Sequence, residues 1–226
     1  KNQELKSALL QETPWVLEAR NESEAKRRVG LLFDVNTMAA GLRSAYAKLE
    51  AMQKSDGSWP WFPGGRGDDY ITLYLVTGFG RLKQLGATDV PQDLALKGVD
   101  HLDRWLDEIY RDILKDKTQA ENHLGPTVAM ALYGRSFYLK EKPVPDGAKE
   151  AYDYFLGQGR KFWLQVDNRQ SQAHLALGLK RFGDLETPDK IMRSIKERSK
   201  LDPELGRYWA ETEASWWWYR APIETQ

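Results

Sequence analysis

Cysteine is absent from all 226 residues of the chain. Disulfides, thiolate metal sites and cysteine nucleophiles are therefore excluded within it. An excess of either charge is missing too: 33 Lys and Arg balance 33 Asp and Glu, for a formal net charge of +0. Nucleic acid or an anionic membrane as main partner would favour a basic excess, so the balance argues against both. Histidine is scarce, at 3 residues, and no two of them are spaced to share one helical face, which argues against a metal site. No apolar run approaches the length of about 18 residues that spans a bilayer. A Gly-rich phosphate loop followed by Lys-Ser or Lys-Thr is lacking, as is a Gly-x-Ser-x-Gly elbow. The opening Lys1-Asn2-Gln3-Glu4 is neither an initiator Met nor a signal peptide, so the expectation is a segment of something longer. At 26.0 kDa it suits one domain with a sizeable core, or part of a larger toroidal or solenoid body.

Tryptophan, by contrast, is abundant, at 9 residues. The most telling of them follow a glycine turn in Gln53-Lys54-Ser55-Asp56-Gly57-Ser58-Trp59-Pro60-Trp61-Phe62. This Gln-x-x-x-Gly-x-Trp string ends one helical pattern and precedes another, and it reads as a joint between paired helices. Gly57 permits a left-handed turn, and the aromatic after it plugs the gap between hairpins.

The helices come in two kinds. From Asn36 to Gln53 a stripe of Met38, Ala39, Leu42, Tyr46, Leu49 and Met52 faces one way. Asp69 to Leu85 is apolar nearly all round, through Ile71, Leu73, Tyr74, Leu75, Val76, Phe79 and Leu82, and a helix of that kind is expected to be buried on every side. Gln92 to Lys115 is striped and charged; Thr127 to Leu139 is apolar all round; Gly147 to Trp163 is striped; Ser171 to Phe182 is mostly apolar; Pro188 to Ser199 is one-sided again. Prolines break the pattern after each buried helix, roughly every 50 residues. Two buried helices share a register, Leu75, Gly78, Phe79, Arg81 and Leu82 matching Leu175, Gly178, Leu179, Arg181 and Phe182, with the glycines suited to close helix approach.

Strand signals are few, and the chain reads as all-α. Alternation of one-sided and all-round apolar helices is what two concentric layers require, which points to an α/α toroid, with an open α-solenoid as the alternative. The end of the chain, Gly206-Arg207-Tyr208-Trp209 and Trp216-Trp217-Trp218-Tyr219, parallels the stretch from Gly57 to Thr72 and stops where the next buried helix is due. The expected toroid is therefore incomplete: residues 1–226 read as one partial α/α-toroid domain.

Few residues suggest a reaction. His101 lies among charged residues on an outer helix and is expected to be solvated; His174 lies on an inner helix, as a satisfied core residue or pointing into a central cavity. Asp68-Asp69 precedes the first inner helix, but Thr72 and Leu73 break the acidic spacing of a magnesium-diphosphate motif, leaving a helix N-cap as the better reading. Glu211 and Glu213 near the tryptophan run are the first choice for a glycosidase pair, though nothing in the sequence sets their separation.

The residues resemble one known family, the bacterial alpha-2-macroglobulin-like proteins, and in particular their thioester domain. The carriers are Leu10-Gln11-Glu12-Thr13-Pro14-Trp15, Leu31-Leu32-Phe33-Asp34, the stretch from Gln53 to Gly65, Tyr70-Ile71-Thr72, Trp217-Trp218-Tyr219 and Pro222-Ile223-Glu224-Thr225-Gln226. The resemblance implies a large secreted or periplasmic protease trap that serves envelope defence, with proteases as targets and neighbouring domains as partners. In that family a Cys-x-Glu-Gln thioester acylates a lysine of the attacking protease. No cysteine stands in this chain, so no thioester forms in it; the motif either lies upstream or is missing from this member. The resemblance implies no catalytic residue, no metal and no cofactor here.

A thioester survives only while water and amines are kept out. Trp59, Trp61, Phe62 and Tyr70, with Trp216 and Trp217, are the candidates for an aromatic shield or a domain interface. The bland alternative is that they close the hydrophobic ends of the toroid, and exposed aromatics rimmed by polar groups would favour the interface. Other function classes stay open: an α/α-toroid glycosidase or lyase, or a thioester-free interaction scaffold. Complement relatives carry a catalytic histidine on the helix after the glycine joint, whereas residues 53–81 here contain none. The resemblance thus implies that any thioester of the longer protein prefers amines to hydroxyls. Methylamine adducts should outnumber glycerol esters on the intact protein by mass spectrometry; dominant glycerol esters would refute the expectation.

Overall fold

The computed structural model describes Glu24, Lys26 and residues 35–166, 168–204 and 206–209. Two compact units divide at Ala51 and Met52. The first unit contributes α1 (Val35–Met52), whose last residue falls just past that boundary. The second holds α2 (Asp69–Gln84), α3 (Gln92–Asp116), α4 (Pro126–Ser136), α5 (Lys149–Phe162), α6 (Arg169–Arg181) and α7 (Glu186–Glu197). Two short antiparallel ribbons join them: β1 (Trp59–Pro60) with β2 (Gly67–Asp68), and β3 (Lys200–Asp202) with β4 (Gly206–Tyr208). The chain is all-α in class, and these helices start and stop within a few residues of the sequence reading.

Local chemistry sets the boundaries. Asp68 caps α2, its carboxylate accepting from the Ile71 amide at 2.9 Å, so the acidic pair does cap a helix. Asn168 caps α6 in the same way through the Ser171 amide at 2.7 Å. Pro126 opens α4 at a position whose amide would have no intrahelical partner. Asp184 accepts from the amides of Glu186 and Thr187 at the start of α7. Burial opposes ionisation of Asp184, yet the hydrogen bonds from Thr187, Arg160 and Glu186 outweigh it and hold the carboxyl below its usual range.

Within the second unit the helices form two rows. The apolar helices α2, α4 and α6 pack side by side, α2 on α4 and α4 on α6. The striped helix α3 lies on α2 and against α5, while α7 packs on α6. The core fills the space between the rows, with Leu106, Leu132, Phe155, Leu175, Leu179 and Ile191 fully buried. Gly178 allows α6 to close on α4: a Cβ there would stand 3.0 Å from the Tyr133 amide nitrogen. Gly78, its register mate, meets no described atom within 4 Å, so the shared register marks a contact in only one of the two helices.

The apolar helices are not buried on every side. Val76 is fully buried and Met130 half-buried, but Tyr74, Leu82 and Leu177 are exposed, at 60%, 41% and 43%. A helix in a row is covered by its neighbours and by the second row; its remaining face has no such cover among the described residues. His174 is half-buried, its ring stacked on Tyr133 at 4.6 Å. Burial, with the charge of Arg81 adding to it, lowers the His174 pKa to about 4.

A buried ionic contact ties the rows together. Arg135 of α4 donates through Nε and Nη2 to both carboxylate oxygens of Asp103 of α3, at 2.8 and 3.2 Å. Tyr152 of α5 donates its hydroxyl to Asp103 Oδ1 at 2.7 Å, and burial followed by the Asp103 charge pushes that hydroxyl's pKa well up. The pair is neutral as a unit and almost wholly out of water, so neither charge is tolerated alone. Arg135→Ala should therefore destabilise the fold by about 3–5 kcal/mol and Tyr152→Phe by about 1–2 kcal/mol, read from urea unfolding midpoints. Equal small losses for both would mean that Asp103 is not the shared anchor.

Candidate functional site

The Gln53–Phe62 string is a joint fastened from three directions. Gln53 donates through Nε2 to the carbonyls of Gly57 at 3.0 Å and Leu94 at 2.9 Å, which binds the turn to the first turn of α3. Gly57 has φ +88, and a Cβ on it would lie 2.1 Å from the Lys97 carbonyl oxygen. Glycine is required twice over, for its dihedral and for the approach of one backbone to another. Asp56 closes the turn by accepting from the Ser58 amide at 2.9 Å and the Ser58 hydroxyl at 2.7 Å.

Trp59 is driven into the gap that this turn opens. It is fully buried, its ring 6.2 Å from Phe79. Its amide donates to Thr72 Oγ1 at 2.9 Å, and that hydroxyl donates onward to the Asp68 carbonyl at 2.7 Å. Gly98 of α3 makes the room: a Cβ there would stand 2.8 Å from the Trp59 ring and 2.6 Å from Val76. Trp59 therefore offers no surface to a partner, and the expected interface loses it. The indole is a plug, as its place after the glycine turn suggested, and it serves the core.

The rest of the aromatic set divides. β1 and β2 pair with Trp59 opposite Asp68 and Pro60 opposite Gly67, and the loop between them projects Trp61 and Phe62. These two are exposed, at 52% and 66%. Tyr70 is half-buried at the start of α2 and stacks on Trp61, with centroids 6.4 Å apart and planes at 19°. Tyr70 on α2 thus meets Trp61 of the loop, and Phe62 follows Trp61 in the same loop. Trp216 and Trp217 lie outside the described residues, as do Glu211 and Glu213.

Electrostatics completes the joint with a residue that the sequence reading misjudged. His101 of α3 is largely covered, its side chain 15% exposed, and it is not a freely solvated outer residue. Its Nε2 lies 2.7 Å from Asp69 Oδ1, and its Nδ1 lies 3.7 Å from Asp56 Oδ2. Arg104, one turn further along α3, donates to the Asp56 carbonyl at 2.6 Å. Burial works against ionisation of Asp56, but the Ser58 hydrogen bonds, with the charges of His101 and Arg104, hold its carboxyl below the usual range. The only sequence signal for His101 was its helical face, since its partners stand 32 and 45 positions away.

Chemically the arrangement is a holder. Among the described residues no group of three His, Cys, Asp or Glu side chains is placed to hold a metal ion, and no helix is long and apolar enough to cross a membrane. What the joint does is present an aromatic hairpin from a rigid base.

No protein-family model matches the chain. Over 69 residues it is 29% identical to the alpha-2-macroglobulin of Thermotoga maritima. Over that stretch the chain is similar to an alpha-2-macroglobulin. The shared stretch is 30% of this chain and 4% of the Thermotoga protein, so the chain spans a small part of that relative's length. Among solved structures, the trypsin-activated alpha-2-macroglobulin of Escherichia coli aligns with 67% of this chain and 10% of its own, at 19% identity and a TM-score of 0.40.

The plug and the projection should separate cleanly by mutation. Trp59→Ala should cost about 3–5 kcal/mol in urea unfolding, and Gly57→Ala about 2–4 kcal/mol through strain and collision. Trp61→Ala should cost no more than about 1.5 kcal/mol, the scale of its ring contact with Tyr70 on an otherwise exposed side chain. A large loss from Trp61→Ala would place that ring in the core and end its candidacy as a contact residue.

Proposed function

We propose that this chain is a non-catalytic segment of the thioester domain of a bacterial alpha-2-macroglobulin-like protein, acting in protease trapping in the periplasm or outside the cell. The stretch shared with the Thermotoga alpha-2-macroglobulin carries the reading. In it the two rows of helices belong to an α/α toroid whose remaining helices lie elsewhere in the longer protein. The exposed Trp61 and Phe62, steadied by Tyr70, form the face that docks a neighbouring domain and keeps water from the reactive group. The Escherichia coli alpha-2-macroglobulin was solved in a trypsin-activated form, and proteases of that kind are the targets we assign to this chain's parent.

Geometry supports the docking role because the projection is pre-organised. Two exposed aromatics on a mobile loop would lose conformational freedom on docking; two on a hairpin clamped by Gln53, Gly57 and Trp59 lose little. Aromatic side chains in that setting are the type that dominates interface energies.

The test uses the full-length protein. Incubated with excess trap, trypsin should lose activity on a large protein substrate while keeping it on a small peptide ester. The double variant Trp61→Ser/Phe62→Ser should fold normally and trap trypsin at least about tenfold less well. A wild-type protein that leaves trypsin fully active on large substrates would overturn the trapping role. A double variant that traps as well as wild type would remove the hairpin from it.

A further inference from the structure

The geometry points to His101 as a proton-operated clasp that fastens both the Gly57 turn and the start of α2 to α3. The two ring nitrogens face two different carboxylates, Asp69 Oδ1 at 2.7 Å and Asp56 Oδ2 at 3.7 Å. A carboxylate only accepts, and a neutral imidazole carries a single N–H. The tautomer that serves Asp69 through Nε2 turns the Nδ1 lone pair toward Asp56, and the other tautomer turns a lone pair toward Asp69. Nδ1 at 3.7 Å is too far to hydrogen-bond to Asp56, but only the imidazolium sets a positive charge facing both carboxylates.

The surroundings suit a switch that closes on protonation. Asp56 comes from the turn, Asp69 from the first turn of α2, and His101 and Arg104 from α3, so the charged groups around the ring belong to the three pieces that meet at the joint. Asp69 stands at the N-terminus of α2, where the helix favours a negative charge. Asp56 is held in place by its bonds from Ser58, so the clasp pulls on a fixed point. Imidazoles as a class exchange their proton over about pH 5–8. The clasp is closed at the acid end of that interval and opens as pH rises through it, loosening the base from which Trp61 and Phe62 project. His174 works in the opposite sense: its folded-state value near 4 lies below its ordinary 6.5, so its share of stability is present above 6.5 and is lost as pH falls toward 4. That term acts on the whole unit and is the same in any variant of His101.

The clasp goes beyond the trapping role and needs none of it, so it is measured on this chain without any protease. Backbone amide hydrogen exchange over residues 54–59, corrected for the intrinsic pH dependence of exchange, reads local opening. In the wild type the opening constant should rise up to about fivefold between pH 5.5 and 8, the scale of a partly exposed ion pair. In His101→Gln, which keeps a hydrogen-bonding amide but cannot take up the proton, the profile should be flat within about twofold. Should His101→Gln not fold, Asp56→Asn replaces it: the amide oxygen still accepts from Ser58, while the second carboxylate is gone and the pH response should shrink. Matching pH profiles in wild type and variant would overturn the clasp, and failure of trapping in the full-length protein would leave it untouched.

Discussion

The approach of the Gly57 backbone to Lys97 governs the arrangement around it. Where a Cβ would come within 2.1 Å of a carbonyl oxygen, the turn has one permitted residue and one permitted position on α3. Once it is seated, the chain leaves the turn aimed into the gap between α2 and α3, and Trp59 fills that gap against Gly98, Val76 and Phe79. The Trp59 amide then finds Thr72, and Thr72 finds Asp68, whose side chain caps α2. Turn, plug, ribbon and helix start are thus linked in sequence, and strain at the first link is felt at the last.

The sequence made much of this legible because the joint is local. Gln53, Gly57 and Trp59 lie within seven positions of one another, and each residue type has a short list of physical uses. Helix boundaries were legible for a similar reason: Asp68, Pro126 and the alternation of one-sided and all-round apolar patterns are near-neighbour signals. Two layers followed from counting apolar faces. What counting does not give is coverage. Tyr74, Leu82 and Leu177 are apolar and exposed, since a pattern records which faces are able to be buried and a structure records which have a neighbour.

The fate of the aromatics shows where periodicity stops helping. Trp59 and Trp61 are two positions apart, which on an extended strand would set them on the same face. One is fully buried and the other half in solvent. β1 is only Trp59 and Pro60 long, so the strand ends before the alternation reaches Trp61, and the chain turns out into the hairpin loop. Composition treats the two indoles as equivalent. The end of β1 at Pro60 leaves one indole buried as a plug and the other exposed.

His101 was misread for the complementary reason. Its helix neighbours are charged, and a charged face predicts solvent. Yet the approach of the Gly57 turn that buries Trp59 also lays Asp56 and the start of α2 over this part of α3. Covering a charged face is unfavourable unless the arriving groups bring opposite charge and hydrogen-bond partners. Here they do: two carboxylates meet an imidazole, and a guanidinium meets a carbonyl. Polar and apolar sides of the joint are therefore one solution. The indole supplies the burial that holds the turn down, and the ionic side makes the covered part of α3 tolerable, so the projection of Trp61 and Phe62 rests on both.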